Sequence, residues 1–223
     1  MTTVVLADDQ ELVRGGLRLM LEARGVDVLA EAAHGRTAVE LARRLDPDVV
    51  LMDVRMPIMD GIAATAHIVA AKLRSRVLVL TTYDLDDYVY RALKGGAAGF
   101  MLKATAPDRL VEGIHIVASG EALLAPSLTR RLIEEHIRRP PPLTGVPHPI
   151  RELTEREREV LVLIAHGQSN DEIAATLVVS PATVKTHINR ILAKLSLRSR
   201  VQAVVLAYEC GLVQPGSRSW LRE

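Results

Sequence analysis

Four short apolar runs in the first half of the chain each end on a polar residue suited to phosphate or a divalent metal. Val4-Val5-Leu6-Ala7 leads into Asp8-Asp9, Val49-Val50-Leu51-Met52 into Asp53, Val77-Leu78-Val79-Leu80 into Thr81, and Phe100-Met101-Leu102 into Lys103. Between the runs, apolar positions recur at helical spacing and predict helices over 11–24, 35–45, 61–73, 86–95 and 107–119. Gly25, Gly95-Gly96 and Gly120 stand where those helices should stop, and Pro107 where the last should begin. Uninterrupted apolar runs alternating with helices are the signature of parallel strands buried on both faces, so the first 120 residues predict an α/β doubly wound five-stranded sheet. Ligands of such sheets bind at the carboxyl ends of the strands. Three carboxylates, a hydroxyl and a lysine are thereby brought to one rim.

The pattern changes at Pro126. Leu128 to Arg139 can form one amphipathic helix, and then Pro140-Pro141-Pro142, Pro147 and Pro149 interrupt regular structure. Four helical segments follow, near 155–166, 170–177, 181–195 and 199–210, with no strand pattern between them. The expected organisation is a sheet domain over 1–122, a linker over 123–149, a small all-α domain over 150–213 and a tail over 214–223. Thr154-Glu155-Arg156-Glu157 has the form of a capping box. Ser169 or Asn170 and Ser180 can cap the next two helices, with Pro181 in a first turn. Short helices separated by tight turns resemble a helix-turn-helix.

Hydrophobic content of 48% with 25% charged residues suits a globular protein. No stretch approaches the roughly 18 apolar residues that cross a bilayer, and no charged leader precedes the first strand, so a cytoplasmic location without membrane attachment is expected. The single Cys210 excludes an internal disulfide framework. The net charge of +1 is unevenly spread: residues 1–125 hold 14 Lys/Arg against 17 Asp/Glu, and 126–223 hold 14 against 10. Ile173 to Tyr208 contains Lys185, Arg190, Lys194, Arg198 and Arg200 and no acid, which points to a polyanionic partner.

Asp8, Asp9 and Asp53 are oxygen donors of the kind that hold Mg2+ together with waters and phosphate oxygens. The ion would relieve their mutual repulsion and leave Asp53 ionised as a nucleophile. Lys103 would neutralise a phosphoryl group and Thr81 would donate a hydrogen bond to it. Any one of these residues read alone is a helix cap, a turn former or a solvated lysine; the agreement of four strand ends carries the case. On the 181–195 helix, Val184, Ile188, Ile191, Leu192 and Leu195 fall in one stripe roughly 100° wide that must face a core. Ala182, Thr186, Asn189, Arg190 and Ala193 lie opposite, flanked by Lys185 and Lys194. Such a face suits the DNA major groove, where Asn pairs with adenine, Lys or Arg with guanine, and a Thr methyl touches thymine.

Asp8-Asp9, Asp53 with Met56-Pro57 and Asp60-Gly61, Thr81, and Gly99-Phe100-Met101-Leu102-Lys103 resemble the receiver domain of two-component response regulators. That resemblance implies a flavodoxin-like sheet of order 2-1-3-4-5. It also implies a phosphoacceptor Asp53 served by a sensor histidine kinase, and Mg2+ held by Asp8, Asp9, Asp53 and the backbone carbonyl of Arg55. Thr81 and Lys103 would sense the acyl phosphate. Phe100 would be the aromatic switch, without the hydroxyl that Tyr supplies in many members. Arg55 and Tyr83 match the positions that tune dephosphorylation.

Leu153-Thr154-Glu155-Arg156-Glu157, Gly167-Gln168-Ser169-Asn170-Asp171-Glu172-Ile173-Ala174, Ser180-Pro181-Ala182-Thr183-Val184-Lys185-Thr186-His187 and Arg200-Val201-Gln202-Ala203 resemble the LuxR-type helix-turn-helix. The whole chain is similar to the NarL/FixJ class. That similarity implies base contacts from Lys185, Thr186 and Asn189, phosphate contacts from Thr183 and Arg190, and a homodimer formed through the 199–210 helix. His187 either reaches phosphate or packs beside Ile188.

Competing motifs fit less well. Gly95-Gly96-Ala97-Ala98-Gly99 precedes a strand instead of opening a helix, unlike a dinucleotide loop. Haloacid-type phosphatases carry Asp-x-Asp where this chain has Asp53-Val54-Arg55. His34, His67 and His115 fall on separate helices and suit structural roles. The expected function is a phosphorylation-dependent, sequence-specific transcription regulator that acts on double-stranded DNA and is not a turnover enzyme. The rivals are a stand-alone phosphatase or phosphotransferase and a constitutively dimeric, phosphorylation-independent DNA-binding protein.

Overall fold

The structure is a computed structural model that describes residues 1–81, 91–120 and 148–213. The chain divides into two compact units, Met1–Leu123 and Leu124–Glu223. In the first, strands β1 (Thr3–Ala7), β2 (Asp27–Ala32), β3 (Val49–Asp53), β4 (Arg76–Thr81) and β5 (Gly99–Leu102) pair in parallel in the order β2-β1-β3-β4-β5. Helices α1 (Glu11–Glu22), α2 (Gly35–Leu45) and α3 (Gly61–Ala70) connect β1 to β4 in turn, residues 91–94 between β4 and β5 are helical, and α4 (Pro107–Ala118) follows β5. The five-stranded doubly wound sheet is the one that the alternation of β-like runs with five helical segments predicted. β3 is buried along its whole length, which is why its sequence shows no polar alternation. Val4, Leu6, Val49, Leu51, Leu78 and Leu80 pack with Leu21, Leu110, Ile114 and Val117 into one core.

Two local features aim the strand ends. Gly61, the first residue of α3, lies so close to β3 that a Cβ there would stand 1.9 Å from the Asp53 carbonyl oxygen, so only glycine lets α3 start at that point. Asp60 caps the same helix by accepting a hydrogen bond from the Ala63 amide at 2.7 Å. The chain leaving Asp53 is thereby turned back over the sheet within eight residues.

In the second unit, a short 3-10 turn over His148–Glu152 precedes α5 (Glu155–Ala165), α6 (Asn170–Leu177), α7 (Pro181–Lys194) and α8 (Arg200–Glu209). Thr154 with Glu157 and Ser169 with Glu172 form full capping boxes, and Ser180 and Ser199 cap α7 and α8. Val160, Leu161, Ile164, Ile173, Val184, Ile191, Ala203 and Ala207 are the centre of its core. The predicted helix starts that fall among the described residues agree to within one residue. The predicted ends at 45 and 177 agree and the others run over by one to three residues, the most at 73, where Lys72 adopts a left-handed φ of 57° without a glycine to announce it. The predicted 128–139 helix, most of the 86–95 helix, Tyr83, nearly all of the 123–149 linker and the 214–223 tail lie outside the described residues.

Candidate functional sites

β1, β3, β4 and β5 deliver Asp8-Asp9, Asp53, Thr81 and Lys103 to the carboxyl edge of the sheet. Asp8, Asp53 and Thr81 are buried, at 3%, 7% and 6% exposure, and Asp9 is exposed. The Lys103 side chain crosses the edge and binds both buried carboxylates, with Nζ 2.5 Å from Asp8 Oδ2 and 3.0 Å from Asp53 Oδ2. Asp53 Oδ1 accepts a hydrogen bond from the Val54 amide at 2.8 Å, and Asp8 Oδ1 accepts one from the Gln10 amide at 3.0 Å. Thr81 meets this cluster through its backbone, its carbonyl accepting from the Lys103 amide at 2.7 Å. Phe100 is buried on β5, and Arg55 is exposed in the bend after β3.

Among the described residues the pocket is electrostatically unbalanced, with the carboxylates of Asp8, Asp9 and Asp53 facing the Lys103 ammonium. Burial pushes the Asp53 carboxyl above its usual range. Lys103 opposes that rise without cancelling it, and the Asp8 charge adds to it. Burial also works against the Lys103 ammonium, but its hydrogen bonds to Asp8 and Asp53 outweigh burial and raise its pKa, so it stays protonated. The surplus negative charge suits a hard divalent cation. Carboxylate oxygens of Asp8, Asp9 and Asp53 lie within 4.8 Å of one another. In an octahedral Mg2+ shell with bonds of about 2.1 Å, neighbouring ligand oxygens stand about 3.0 Å apart, so the three carboxylates are close enough to share one ion once their side chains close in around it.

Sequence reasoning missed one partner of this pocket. Arg14 on α1 donates from Nη1 to the Asp8 carbonyl at 2.7 Å, and its Nε stands 3.4 Å from Glu31 on β2. Together with the Asp8 amide, which donates to the Ala32 carbonyl at 3.0 Å, this fixes the backbone from which both acids project. The signal was an arginine one turn into a helix, which its own sequence cannot distinguish from a solvated one. The histidines take structural places: His34 caps α2 by accepting from the Thr37 amide, and His115 Nδ1 lies 3.0 Å from the Thr2 hydroxyl.

On α7 the expected stripe is buried. Val184, Ile188, Ile191 and Leu195 belong to the core and Leu192 packs against it. Ala182, Lys185, Thr186, Asn189, Arg190 and Ala193 are exposed on the other side. Thr183 is half-buried, with its hydroxyl 2.8 Å from that of the capping Ser180, and the Thr186 hydroxyl donates back to the Ala182 carbonyl at 3.0 Å. Two basic residues of the acid-free run are engaged within the unit. Arg200 donates to Asn170 Oδ1 and to the Gln168 carbonyl, and Lys194 binds Glu157 at 2.6 Å. Among the described residues no helix is long and apolar enough to cross a membrane.

Comparison with known proteins places both units. A model of the response regulator receiver domain matches residues 4–115, and a model of the luxR family of bacterial regulatory proteins matches residues 151–207. The chain is 41% identical over 212 residues to the transcriptional regulatory protein YxjL of Bacillus subtilis (strain 168), covering 95% of this chain and 97% of that one. It is 33% identical to the response regulator ChrA of a heme-sensing two-component system, whose crystal structure matches with a TM-score of 0.52 over 95% of this chain and 98% of that one. A structure of two RcsB dimers bound to two parallel DNAs matches with a TM-score of 0.53 at 25% identity, over 93% of this chain and 98% of that one. The chain belongs to the two-component response regulators of the NarL/FixJ class, in which a receiver domain is joined to a luxR-type helix-turn-helix domain for transcription regulation.

Proposed function

We propose that the chain is a phosphorylation-switched, sequence-specific DNA-binding regulator, taking a phosphoryl group on Asp53 from a sensor histidine kinase and reading DNA through α7 as a homodimer. The observation that carries this reading is the Lys103 ammonium bridging Asp8 and Asp53 at the sheet edge, beside Asp9. An Asp53 oxygen attacks phosphorus, the bond from phosphorus to the donor's imidazole nitrogen breaks, and that nitrogen keeps the electron pair. Asp8, Asp9, Asp53 and the backbone carbonyl of Arg55 would hold Mg2+, which supplies charge neutralisation for the transferring group. Lys103, already charged and within reach of Asp53, would pair with a phosphoryl oxygen, and Thr81 would donate to another. Phe100 would change its packing with the state of Thr81. The chain performs one transfer per phosphorylation and, apart from self-dephosphorylation, is no turnover enzyme.

On the helical side, Lys185, Thr186 and Asn189 would meet base edges, and Thr183 and Arg190 phosphates. Support comes from their shared outward side on a helix whose other side is core, and from the RcsB dimers solved on DNA. The dimer would form through α8, and the protein would act in the cytoplasm. A phosphoryl group makes only local contacts, so it acts on DNA binding by favouring one conformational or oligomeric state over another. The test is Mg2+-dependent labelling by acetyl phosphate, read by intact mass, with DNA affinity measured on the same samples. Wild-type chain should gain one phosphoryl group and bind its site more tightly, and Asp53→Asn should gain none. Labelling of the Asp53→Asn variant removes the phosphoacceptor assignment; labelling of the wild type without any change in DNA affinity or oligomeric state favours a phosphorylation-independent dimer.

A further inference from the structure

The pattern of α7 places Lys194 at the border of the outward face, where a basic side chain would reach a DNA phosphate. The structure gives this lysine another task. Its Nζ lies 2.6 Å from Glu157 Oε2 and 3.2 Å from the Glu152 carbonyl, so two of its three N–H groups point into its own domain. Glu157 is buried at 3% exposure, and its Oε2 also accepts from the Thr154 amide at 2.8 Å. Burial alone would raise this carboxyl's pKa. The hydrogen bonds from Lys194 and Thr154 overcome that, and the group sits below its usual range.

We infer that Lys194 is a positioning residue for DNA reading: through the buried Glu157 it fixes the tilt of α7 and makes no DNA contact itself. The inference rests on the DNA-reading role proposed above for α7. Moving Lys194 to a phosphate would strand a buried carboxylate, and that penalty exceeds the gain from one solvent-screened surface pair. Placement at the helix ends reinforces the pair, with Glu157 in the first turn of α5 and Lys194 in the last turn of α7, each favoured by the helix dipole it meets. The lever arm shows why the tether matters. Lys185 lies nine residues from Lys194, about 13 Å along the axis, so a tilt of about 5° about the tethered end moves Lys185 by about 1 Å. A shift of that size takes a base-edge hydrogen bond out of its working range. Ser180 caps only the first turn and Val184, Ile188 and Ile191 pack through apolar contacts, so the ion pair adds a directional anchor at the far end of α7.

The experiment uses the full chain and two probes, a duplex enriched from a random pool by the wild-type protein and a scrambled duplex of the same composition, titrated across a salt series. Lys194→Met should weaken the enriched duplex at least tenfold, change the scrambled one less than twofold, and leave the slope of log affinity against log salt unaltered. Glu157→Gln should repeat that pattern, the double variant should be no worse than either single one, and Lys194→Arg should restore selectivity to within threefold. A merely destabilised domain would lose both duplexes in proportion and leave selectivity intact. If Lys194→Met alone does not fold by circular dichroism, the double variant, which removes both charges together, carries the same comparison. The inference is overturned if Lys194→Met lowers the salt slope by about one unit on both duplexes, the signature of a lost phosphate contact, or if it leaves affinity and selectivity unchanged. Arg190→Ala separates the two levels: it should lower the slope on both duplexes, and its failure to do so defeats the DNA-reading face and not the tether alone.

Discussion

Lys103 and Lys194 both end on buried carboxylates, and the difference between them separates a working site from a strut. Lys103 serves two buried acids with a third beside them, and Asp53 is left above its usual carboxyl range because one ammonium cannot compensate burial and the Asp8 charge together. Lys194 serves one buried acid whose remaining needs are met by the Thr154 amide, and Glu157 falls below its usual range. Both pairs are short and both carboxylates are buried, so distance alone does not tell them apart. The balance of charge does. A site short of positive charge has capacity left for a cation and a phosphoryl group, whereas a balanced pair holds geometry.

The sharpest way to break this comparison is to remove each ammonium. Lys103→Met should slow acetyl phosphate labelling of Asp53 about 100-fold, since a positioned cation of this kind contributes about 2.7–4 kcal/mol to a developing charge. It should also strengthen Mg2+ binding, because the lysine no longer competes for Asp8 and Asp53; calorimetric titration that finds weaker binding contradicts the view of Lys103 as a resident counter-ion. Lys194→Met should leave labelling within about twofold and cost the helical domain about 1–3 kcal/mol in urea unfolding, a figure reduced from that of a fully buried pair because Lys194 is 35% exposed.

A smaller effect follows from the opposite pKa shifts. Ionised Asp53 is costly in the folded protein, so Asp53→Asn should raise the melting temperature of the sheet domain by about 2–5 °C at neutral pH without Mg2+. An unchanged or lower value means that the Lys103 contact already outweighs burial. The smallest effect is the acid response. Glu157 has a folded pKa below its usual 4.5, so its stabilisation is complete above about pH 4.5 and is lost as pH falls through the folded value. Asp53 is raised, so acidification relieves its cost in the window above 3.8. Hydrogen exchange, corrected for intrinsic rates, should show α5 and α7 losing protection on acidification before β3 does.

Much of the sheet was legible because β1, β3 and β4 are buried on both faces, which leaves unbroken apolar runs whose ends coincide with chemistry, whereas the edge strand β2, with Leu29 exposed, has no such run. The capping boxes at Thr154 and Ser169 were readable for a related reason, being closed within four residues of chain. Helix ends were harder. Glycines at 25, 96 and 120 adopt positive φ and marked roughly where helices stop, whereas Lys72 does the same without a glycine's signature and the helix before it was read three residues too long. Val178 is 90% exposed in that conformation, and nothing local marks it; the turn into α7 imposes it.

The sequence by itself determined the alternation of strands and helices, the five residues at the sheet edge and the two faces of α7, because each follows from an unbroken apolar run, from a period of 3.6 residues or from a strand end. Only the tertiary structure decided what those residues touch. Arg14 became a clamp on the Asp8 carbonyl because β1 passes beneath its helix, and Gly61 became obligatory because α3 returns against Asp53. Lys194 looked free for DNA by angle, yet its partner lies 37 residues away in sequence. A lysine stem is long and flexible enough to choose between water and a buried carboxylate. That choice is made by the element packed opposite, which helical periodicity does not encode.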